Sequence, residues 1–284
     1  MALSLDMLKL TGDPLVADEL ERSTFNGALG AQHPTGRWWT YNTPMDGARE
    51  ASAHSIVFQS RAGTPELNCC SVNGPRALGM LGDWAVMRDP DGVAMNWHGP
   101  VEMHGGPFPL RCESDYPLSG HVKWIVSPES ATEARLRFRI PAWSAHTLAK
   151  LNGEALPDPT PGKYLDLRRV WKSGDAVEFD FDMSLRTLPG AREMLGKVSL
   201  FRGPLLLAWD QRHNEFDEAG IPPIATDRLS DAKILAPQNG PLHPWMLLDL
   251  PAADGKSIRL CDYASAGATG TRYRSWLPAA KPVP

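Results

Sequence analysis

The chain has few cysteines and no excess of basic residues, and both shortages exclude classes of protein. Its 284 residues include four cysteines, too few for the disulfide framework of a small secreted domain. The formal net charge is −4 and the pI is near 6.1, with lysine and arginine scattered along the chain. Such a surface does not predict binding to nucleic acid or to an anionic membrane.

The first residues also lack a basic leader followed by an uninterrupted apolar stretch, so no secretion signal is visible. Because reduced thiols suit a reducing compartment, we expect a cytoplasmic protein. What is present is an ordinary globular composition, with 42% hydrophobic and 22% charged residues. This length and composition allow one large domain or two to three smaller ones.

The spacing of apolar residues changes along the chain and predicts a helical part followed by β-rich parts. Helical spacing dominates up to residue 88, and the apolar residues from Val72 to Met87 cover most of a helix circumference, which predicts a buried helix. From residue 89 the period becomes two, as in Val122–Val126, which is typical of half-buried antiparallel strands. We therefore predict three domains, namely a helical domain at 1–88, a β-sandwich at 89–197 and a second β-rich domain at 198–284.

Two adjacent cysteines, Cys69 and Cys70, are the residues that packing alone explains least well. Neighbouring cysteines do not readily form a disulfide with each other, because the ring that would close is strained. They lie where a loop turns into a helix, and the positive end of a helix favours thiolate. The pair is therefore a candidate reactive sulfur or metal ligand. Free cysteine is also often buried as a small hydrophobe, and the residues alone leave that alternative open.

Other side chains near the pair are weaker candidates. Trp38, Trp39 and Tyr41 could stack on the face of a sugar, although packing in a core or an interface is at least as common. His54 and Glu66 flank the cysteine loop and are candidate zinc or sugar ligands, although an exposed loop histidine more often has no such role. The two remaining cysteines, Cys112 and Cys261, are most simply interpreted as buried structural thiols.

An ordered set of short motifs runs along nearly the whole chain. The motifs are Glu21–Gly30, Trp39–Pro44, Cys69–Cys70 with Asn73 and Arg76, Arg139–Trp143, Leu151–Glu154, Tyr164–Leu165, Trp171–Asp175 and Arg202–Leu205. Each motif is weak by itself, but their order makes the set specific. The set resembles the C-terminal half of the β-L-arabinofuranosidase family, glycoside hydrolase family 127.

The resemblance implies an α+β multidomain protein, in which the C-terminal remnant of an (α/α) toroid is followed by antiparallel β-sandwich domains. It implies a retaining glycosidase whose nucleophile is Cys69, with Cys69 and Cys70 as ligands of a zinc ion. Glu21 matches a carboxylate that contacts the sugar, and Trp39 and Tyr41 join it as candidate substrate contacts. The substrate would be an arabinofuranoside-like carbohydrate.

The chain also departs from the family pattern. The family places a third cysteine and further glutamates of the site N-terminal to the pair, and no cysteine precedes Cys69 here. A toroid of about twelve helices needs on the order of two hundred residues, which is more than precede the β-rich part. The resemblance therefore implies a truncated or split member, whose partner would be a complementing N-terminal chain or a second copy.

Two further functions stay open from the sequence. One is a non-catalytic carbohydrate-binding or scaffold piece that acts with another chain. The other is a structural zinc or redox module, although the C-x-x-C spacing usual in such modules is missing around Cys69 and Cys70.

Overall fold

The computed structural model describes residues 1–51, 69–236, 240 and 242–280. Its helices are α1 (Ala2–Thr11), α2 (Pro14–Arg22), a π-helical turn (Ser23–Ala28), α3 (Leu29–Ala31), α4 (Cys70–Gly79) and α5 (Leu81–Trp84). Short 3₁₀ turns follow at Arg192–Met194, Gln211–His213, Glu218–Gly220 and Thr226–Asp231. In these ranges no helix is both long enough and apolar enough to cross a membrane.

The strands lie mostly in the later part of the chain. They are β1 (Asp46–Ala48), β2 (Val86–Asp89), β3 (Gly92–Met95), β4 (Val101–Met103), β5 (Leu110–Ser114), β6 (His121–Val126), β7 (Thr132–Arg139), β8 (Leu148–Leu151), β9 (Glu154–Ala155), β10 (Tyr164–Trp171), β11 (Ala176–Asp180), β12 (Leu185–Pro189), β13 (Lys197–Arg202), β14 (Leu205–Asp210), β15 (Lys233–Ile234), β16 (Leu247–Pro251), β17 (Ser257–Asp262), β18 (Arg272–Arg274) and β19 (Leu277–Pro278).

The turn between α1 and α2 shows how local sequence sets helix ends. Gly12 ends α1 in the left-handed conformation, with φ of 62°, and its N–H bonds to the carbonyl of Leu8. Pro14 then begins α2, where a missing N–H has no cost and the fixed φ is already helical. The Asp13 carboxylate accepts a hydrogen bond from the Leu15 N–H at 2.9 Å, which satisfies one free donor of the new helix.

One compact unit contains Met1–Arg22 and Gly79–Met183. Its strands form a four-stranded sheet in the order β10-β7-β3-β2 and a six-stranded sheet in the order β4-β5-β6-β11-β8-β9. The rings of Trp124 and Phe179 in the second sheet lie 6.1 and 5.4 Å from the ring of Phe138 in the first. The apolar faces of the two sheets therefore contribute to one core.

The four-stranded sheet contains a parallel pair, β3 with β7, which the expectation of purely antiparallel strands did not include. Gly92 lies opposite Arg135 in this pair, and a Cβ at Gly92 would lie 1.7 Å from the Arg135 carbonyl oxygen. Only glycine allows the two backbones to approach so closely.

The other compact unit contains Ser23–Leu78 and Ser184–Pro284, and its strands form one nine-stranded sheet. The main path is β1-β18-β14-β17-β16-β15, and β12 and β19 join it through β13. Every residue of β14 is buried, which agrees with a central strand in the sheet. The edge strand β1 comes from the segment before the cysteine pair.

These contacts group the chain differently from the three consecutive segments expected from its sequence. Helices α1 and α2 join strands β2–β11, whereas residues 23–78 join the last strands. The mixed architecture of sheets with few helices confirms the α+β part of the expectation. The toroid remnant, the sandwich type and the boundaries at 88 and 197 stay predictions.

The buried helix expected from Val72 to Met87 is wrong. The segment forms α4 and α5 and then enters β2 at Val86, and α4 contains no buried residue. Helix α4 buries little apolar area because Gly74 and Pro75 occupy its middle. Its apolar residue Val72 is 73% exposed.

Candidate functional site

The predicted nucleophile lies at the N-terminus of α4. Cys69 immediately precedes the helix, and its carbonyl accepts hydrogen bonds from the Asn73 backbone N–H at 3.1 Å and from the Asn73 side-chain amide at 3.0 Å. Cys69 is exposed and Cys70 is half-buried, and both are free thiols. Asn73 therefore fixes the backbone that presents the two sulfurs.

The two sulfur atoms lie 3.9 Å apart. Two thiolates bound to one tetrahedral zinc ion, each at about 2.3 Å, would lie about 3.8 Å apart. The separation thus fits a shared metal ion and exceeds the ~2.05 Å of a disulfide bond. The donor pair fits zinc, but it fills only two of the four positions of a tetrahedral site.

Burial raises the pKa of the Cys70 thiol, and the hydrogen bond with Cys69 and the charge of a Cys69 thiolate raise it further. At Cys70 these effects oppose the thiolate form that the helix end is expected to favour. A bound cation would reverse this preference, because a metal ion stabilises the ionised sulfur directly.

Trp39 packs against α4 one turn beyond the cysteines. A Cβ at Gly74 would lie 2.3 Å from Trp39 Cε3, so the indole lies directly on the glycine. Cys70 and Gly74 are four residues apart and share a helix face. Trp39 is 4% exposed, so it supports α4, whereas Tyr41 is 41% exposed and open to a ligand. Their predicted roles as sugar contacts stay predictions, as does that of the exposed Cys69 as nucleophile.

Glu21, the predicted sugar-contacting carboxylate, is fully buried in the other compact unit. Arg139 Nη2 donates to it at 2.6 Å, and Trp143 Nε1 donates to it at 3.5 Å. Burial raises the pKa of Glu21, and the Arg139 guanidinium opposes that effect. Arg139 also pairs with Asp18, which lies on α2 together with Glu21. In this arrangement Glu21 holds α2 to the end of β7.

A second group of metal-ligand types, which the sequence did not reveal, lies in the nine-stranded sheet. Donor atoms of Asp210, His213 and Cys261 lie within 4.8 Å of one another, and the group is compatible with a metal ion. Arg212 Nε lies 3.0 Å from His213 Nε2 and 3.3 Å from Asp210 Oδ2. The guanidinium thus already supplies positive charge to this group.

The sequence signal for this group was weak. Asp210 and His213 lie three residues apart at the end of a strand, but Cys261 comes from a different strand and was interpreted as a structural thiol. His54 and Glu66, the other candidates near the cysteine pair, lie outside the described residues.

Comparison with known proteins identifies the family to which this chain is similar. The sequence model of the β-L-arabinofuranosidase GH127 catalytic domain matches residues 1–83, and that of the GH127 middle domain matches residues 93–183. Among curated proteins, no relative matches the chain.

Three solved structures share the fold. A glycoside hydrolase is 23% identical with a TM-score of 0.79, over 98% of this chain and 50% of its own. A GH127 β-arabinofuranosidase is 21% identical with a TM-score of 0.79, over 97% of this chain and 47% of its own. A GH127 β-L-arabinofuranosidase from Geobacillus stearothermophilus T6 is 22% identical with a TM-score of 0.76, over 97% of this chain and 48% of its own.

The chain therefore spans about half the length of these structures. At such identities the likeness shows the fold, and the two domain matches, which follow each other along the sequence, show the family. The chain belongs to glycoside hydrolase family 127.

Proposed function

We propose that this chain supplies the nucleophile and two zinc-binding thiolates of a glycoside hydrolase of the β-L-arabinofuranosidase type. The observation that carries the proposal is the pair of free thiols at the start of α4, 3.9 Å apart, within the stretch matched by the catalytic domain. A structural role for the pair in a core would bury both sulfurs, but Cys69 is exposed.

Zinc, when bound, would keep the sulfurs ionised at neutral pH. Cys69 and Cys70 are the described residues that would hold it, while Asn73 anchors the Cys69 carbonyl and Trp39 supports the helix from behind Gly74. Among the described residues, two ligands leave the tetrahedral site incomplete. Because structural zinc sites usually have four protein ligands, we expect this chain by itself to bind zinc weakly and below one equivalent.

The Cys69 thiolate attacks the anomeric carbon of a furanoside, and a carbon–sulfur bond forms as the bond to the leaving oxygen breaks. A proton donor, which we do not assign to a described residue, protonates that oxygen. Water then attacks the same carbon, its proton passes to the group that protonated the leaving oxygen, and the thiolate leaves, so the sugar is released with its configuration retained. Cys69 is suited to this role because it is the more exposed residue of the two.

A non-catalytic scaffold is the second candidate, and the burial of Glu21 favours it. Glu21 and Trp39 are both turned into the interior, at 0% and 4% exposure, so two of the three predicted sugar contacts have no open surface here. A scaffold would keep the fold without needing either thiol.

Cobalt binding to the intact chain tests the donor set. Addition of Co²⁺, which binds zinc sites, should produce a thiolate-to-cobalt absorption band in the near ultraviolet. In a Cys261→Ser background, which removes the thiol of the other candidate metal group, the band should weaken in Cys69→Ser and in Cys70→Ser, and it should persist in Cys112→Ser, whose thiol is buried in β5. A band that survives both substitutions in the pair would remove Cys69 and Cys70 as metal ligands.

Activity is tested in a fusion in which this chain replaces the matched part of the Geobacillus enzyme. The fusion should hydrolyse a nitrophenyl β-L-arabinofuranoside, and Cys69→Ser should lower kcat/KM by at least about a thousandfold, because serine is hardly ionised at neutral pH. Cys112→Ser should retain activity. A fully active Cys69→Ser fusion would return the nucleophile role to a carboxylate.

A further inference from the structure

Strand β10 lies at the edge of the four-stranded sheet, where it pairs with β7. Its eight residues make it as long as β7 itself. Among the described strands, none pairs with the other side of β10. An edge of this length presents a row of unpaired backbone groups, and proteins normally shorten, twist or cover such an edge.

The free backbone groups of β10 belong to alternate residues. The Ile140 N–H donates to the Lys163 carbonyl at 2.8 Å, so Lys163, just before β10, directs its carbonyl towards β7. Because the bonds of an antiparallel pair recur at every second residue, the N–H and C=O of Arg168 point away from β7. Arg135 lies opposite Arg168, and its N–H donates at 3.2 Å to the Asp91 carbonyl on the other side of β7, which agrees with this assignment.

Two exposed charges of opposite sign lie on either side of the centre of β10. The side chains of Asp166 and Arg168 are 41% and 52% exposed and share one face of the sheet, with Leu167 between them on the other face. Asp166 pairs with Arg135 on β7, and Arg135 also lies 3.5 Å from Asp89 at the end of β2. Opposite charges therefore alternate from β2 through β7 to β10, and the row ends at Asp166 on the edge.

We propose that β10 pairs with β10 of a second copy of this chain, antiparallel and about a twofold axis at Leu167. In this register Asp166 of each copy lies opposite Arg168 of the other, so two pairs of opposite charge form. An axis one residue earlier or later would place Asp166 opposite Asp166 or Arg168 opposite Arg168, and like charges in these positions destabilise a sheet. The charges on β10 therefore select one register.

The same register also uses the free backbone groups. The residues that direct their N–H and C=O outward are Tyr164, Asp166, Arg168 and Val170. About an axis at Leu167, each member of this set lies opposite another member in the second copy, so the free donors and acceptors satisfy one another. Leu165 and Leu167, which are half-buried on the opposite face, would gain cover from the added strand. A second copy thus matches both the charges and the backbone of this edge.

Two single substitutions and their mixture test the proposal. Sedimentation of the unchanged chain over a range of concentrations should show a monomer–dimer equilibrium. Asp166→Arg leaves only positive charges at the axis and Arg168→Asp leaves only negative ones, so each variant should dimerise at least about tenfold more weakly. An equimolar mixture of the two variants should form a heterodimer about as stable as the original dimer, because every facing pair in it again has opposite charges.

The matched control is Arg111→Asp, which changes an arginine of the same 52% side-chain exposure in the other sheet of this unit and should dimerise like the unchanged chain. Within one chain, Asp166 pairs with Arg135 and Arg168 pairs with Asp91. Mixing cannot restore these internal pairs, so recovery in the mixture reports the contact between copies. A mixture that stays monomeric, an unchanged chain that stays monomeric at every concentration, or a dimer that both variants leave intact would overturn the proposal.

Hydrogen exchange identifies any other occupant of the edge. The N–H groups of Asp166 and Arg168 should exchange at least about tenfold more slowly in the dimer, whereas that of Leu167, which points towards β7, should exchange equally in monomer and dimer. Protection of Asp166 and Arg168 that does not depend on concentration would show that a segment of the same chain covers the edge. Such protection in a monomeric fusion with the Geobacillus enzyme would assign the edge to the rest of that enzyme. Either result would overturn the proposal.

Discussion

Arg139 is the buried charge on which the helix-to-strand contact of its unit depends. Its side chain is 0% exposed and pairs with Asp18 and Glu21, and its Nε donates to the Asn96 carbonyl at 2.7 Å. Arg139→Met would leave two carboxylates without a counter-charge, so we expect the free energy of unfolding to fall by about 3–5 kcal/mol. Urea unfolding at pH 7 measures this change.

The matched control is Arg111→Met in the same unit. Arg111 pairs with Glu113 at 2.8 Å, but both side chains are about half exposed. Water screens such a pair, and its loss should cost less than about 1 kcal/mol. If both variants lose the same free energy of unfolding, the buried ion pairs of Arg139 are no more important for stability than the exposed pair of Arg111.

His98 should make stability fall at acid pH. It is fully buried, and Nε2 lies 2.8 Å from the Arg139 carbonyl, so Nε2 carries the proton, while Nδ1 has no hydrogen-bond partner in the described part of the chain. Burial, reinforced by the Arg139 charge, holds the pKa of His98 well below its ordinary value of 6.5. Below pH 6.5 the unfolded chain therefore binds a proton that the folded chain does not, and the free energy of unfolding decreases as the pH falls.

The size of this effect is at most about 1.4 kcal/mol per pH unit for one group. His98→Gln can still donate to the Arg139 carbonyl but does not titrate. Its stability measured by urea at pH 7, 6 and 5 should change less steeply than that of the unchanged chain. Identical slopes would show that other groups cause the acid sensitivity.

At the scale of residues, adjacency was the only strong sequence signal. Cys69 and Cys70 stand out because they are neighbours, whereas the partner of Glu21 is Arg139, 118 positions later. No local pattern reveals that pairing, because it depends on how α2 meets β7. Asp210 and Cys261 are likewise brought together by strand pairing between β14 and β17.

Helix α4 depends on the glycine that contacts Trp39. Gly74→Ala would place a Cβ 2.3 Å from Trp39 Cε3, so the helix or the indole must move. We expect a stability loss of about 1–3 kcal/mol. Because Cys70 lies on the same face one turn earlier, cobalt affinity at the cysteine pair should fall as well.

Gly79→Ala is the control in the same helix, since no atom of the described residues lies within 4 Å of a Cβ there. It should be neutral, or more stable by up to about 1 kcal/mol. Unchanged cobalt binding in Gly74→Ala would mean that the Trp39 contact does not position the two sulfurs.

At the scale of elements, alternation predicted strands better than apolar content predicted helices. β6, β7 and β11 follow the period of two expected from the sequence, with burial alternating along them. The segment after Cys70 failed as a prediction because its apolar residues are interrupted by Gly74 and Pro75 and then continue into β2. Apolar spacing alone could not separate two short helices from one long buried helix.

At the scale of the whole molecule, the grouping of helices with strands could not be predicted from sequence order. The family resemblance gave the mixed helical and β composition, but α1 and α2 share a unit with β2–β11. Contacts such as Arg139 with Asp18 cross more than a hundred residues, and they decide this grouping. Periodicity reports the face that a segment buries and not the segment that covers it.

Removing α1 and α2 from this unit should remove most of the contribution that Arg139 makes to the stability of the unit. In a fragment with residues Gly79–Met183, the alternating strands can still bury their faces, but Asp18 and Glu21 are absent. Water can then reach the guanidinium, so Arg139→Met should change the stability of the fragment by less than about 1 kcal/mol, compared with about 3–5 kcal/mol in the intact chain. Urea unfolding of both proteins, each with and without the substitution, gives the coupling energy directly. If the substitution is equally costly in the fragment, the hydrogen bond from Arg139 to Asn96 and local packing stabilise the unit, and the ion pairs with α2 contribute little.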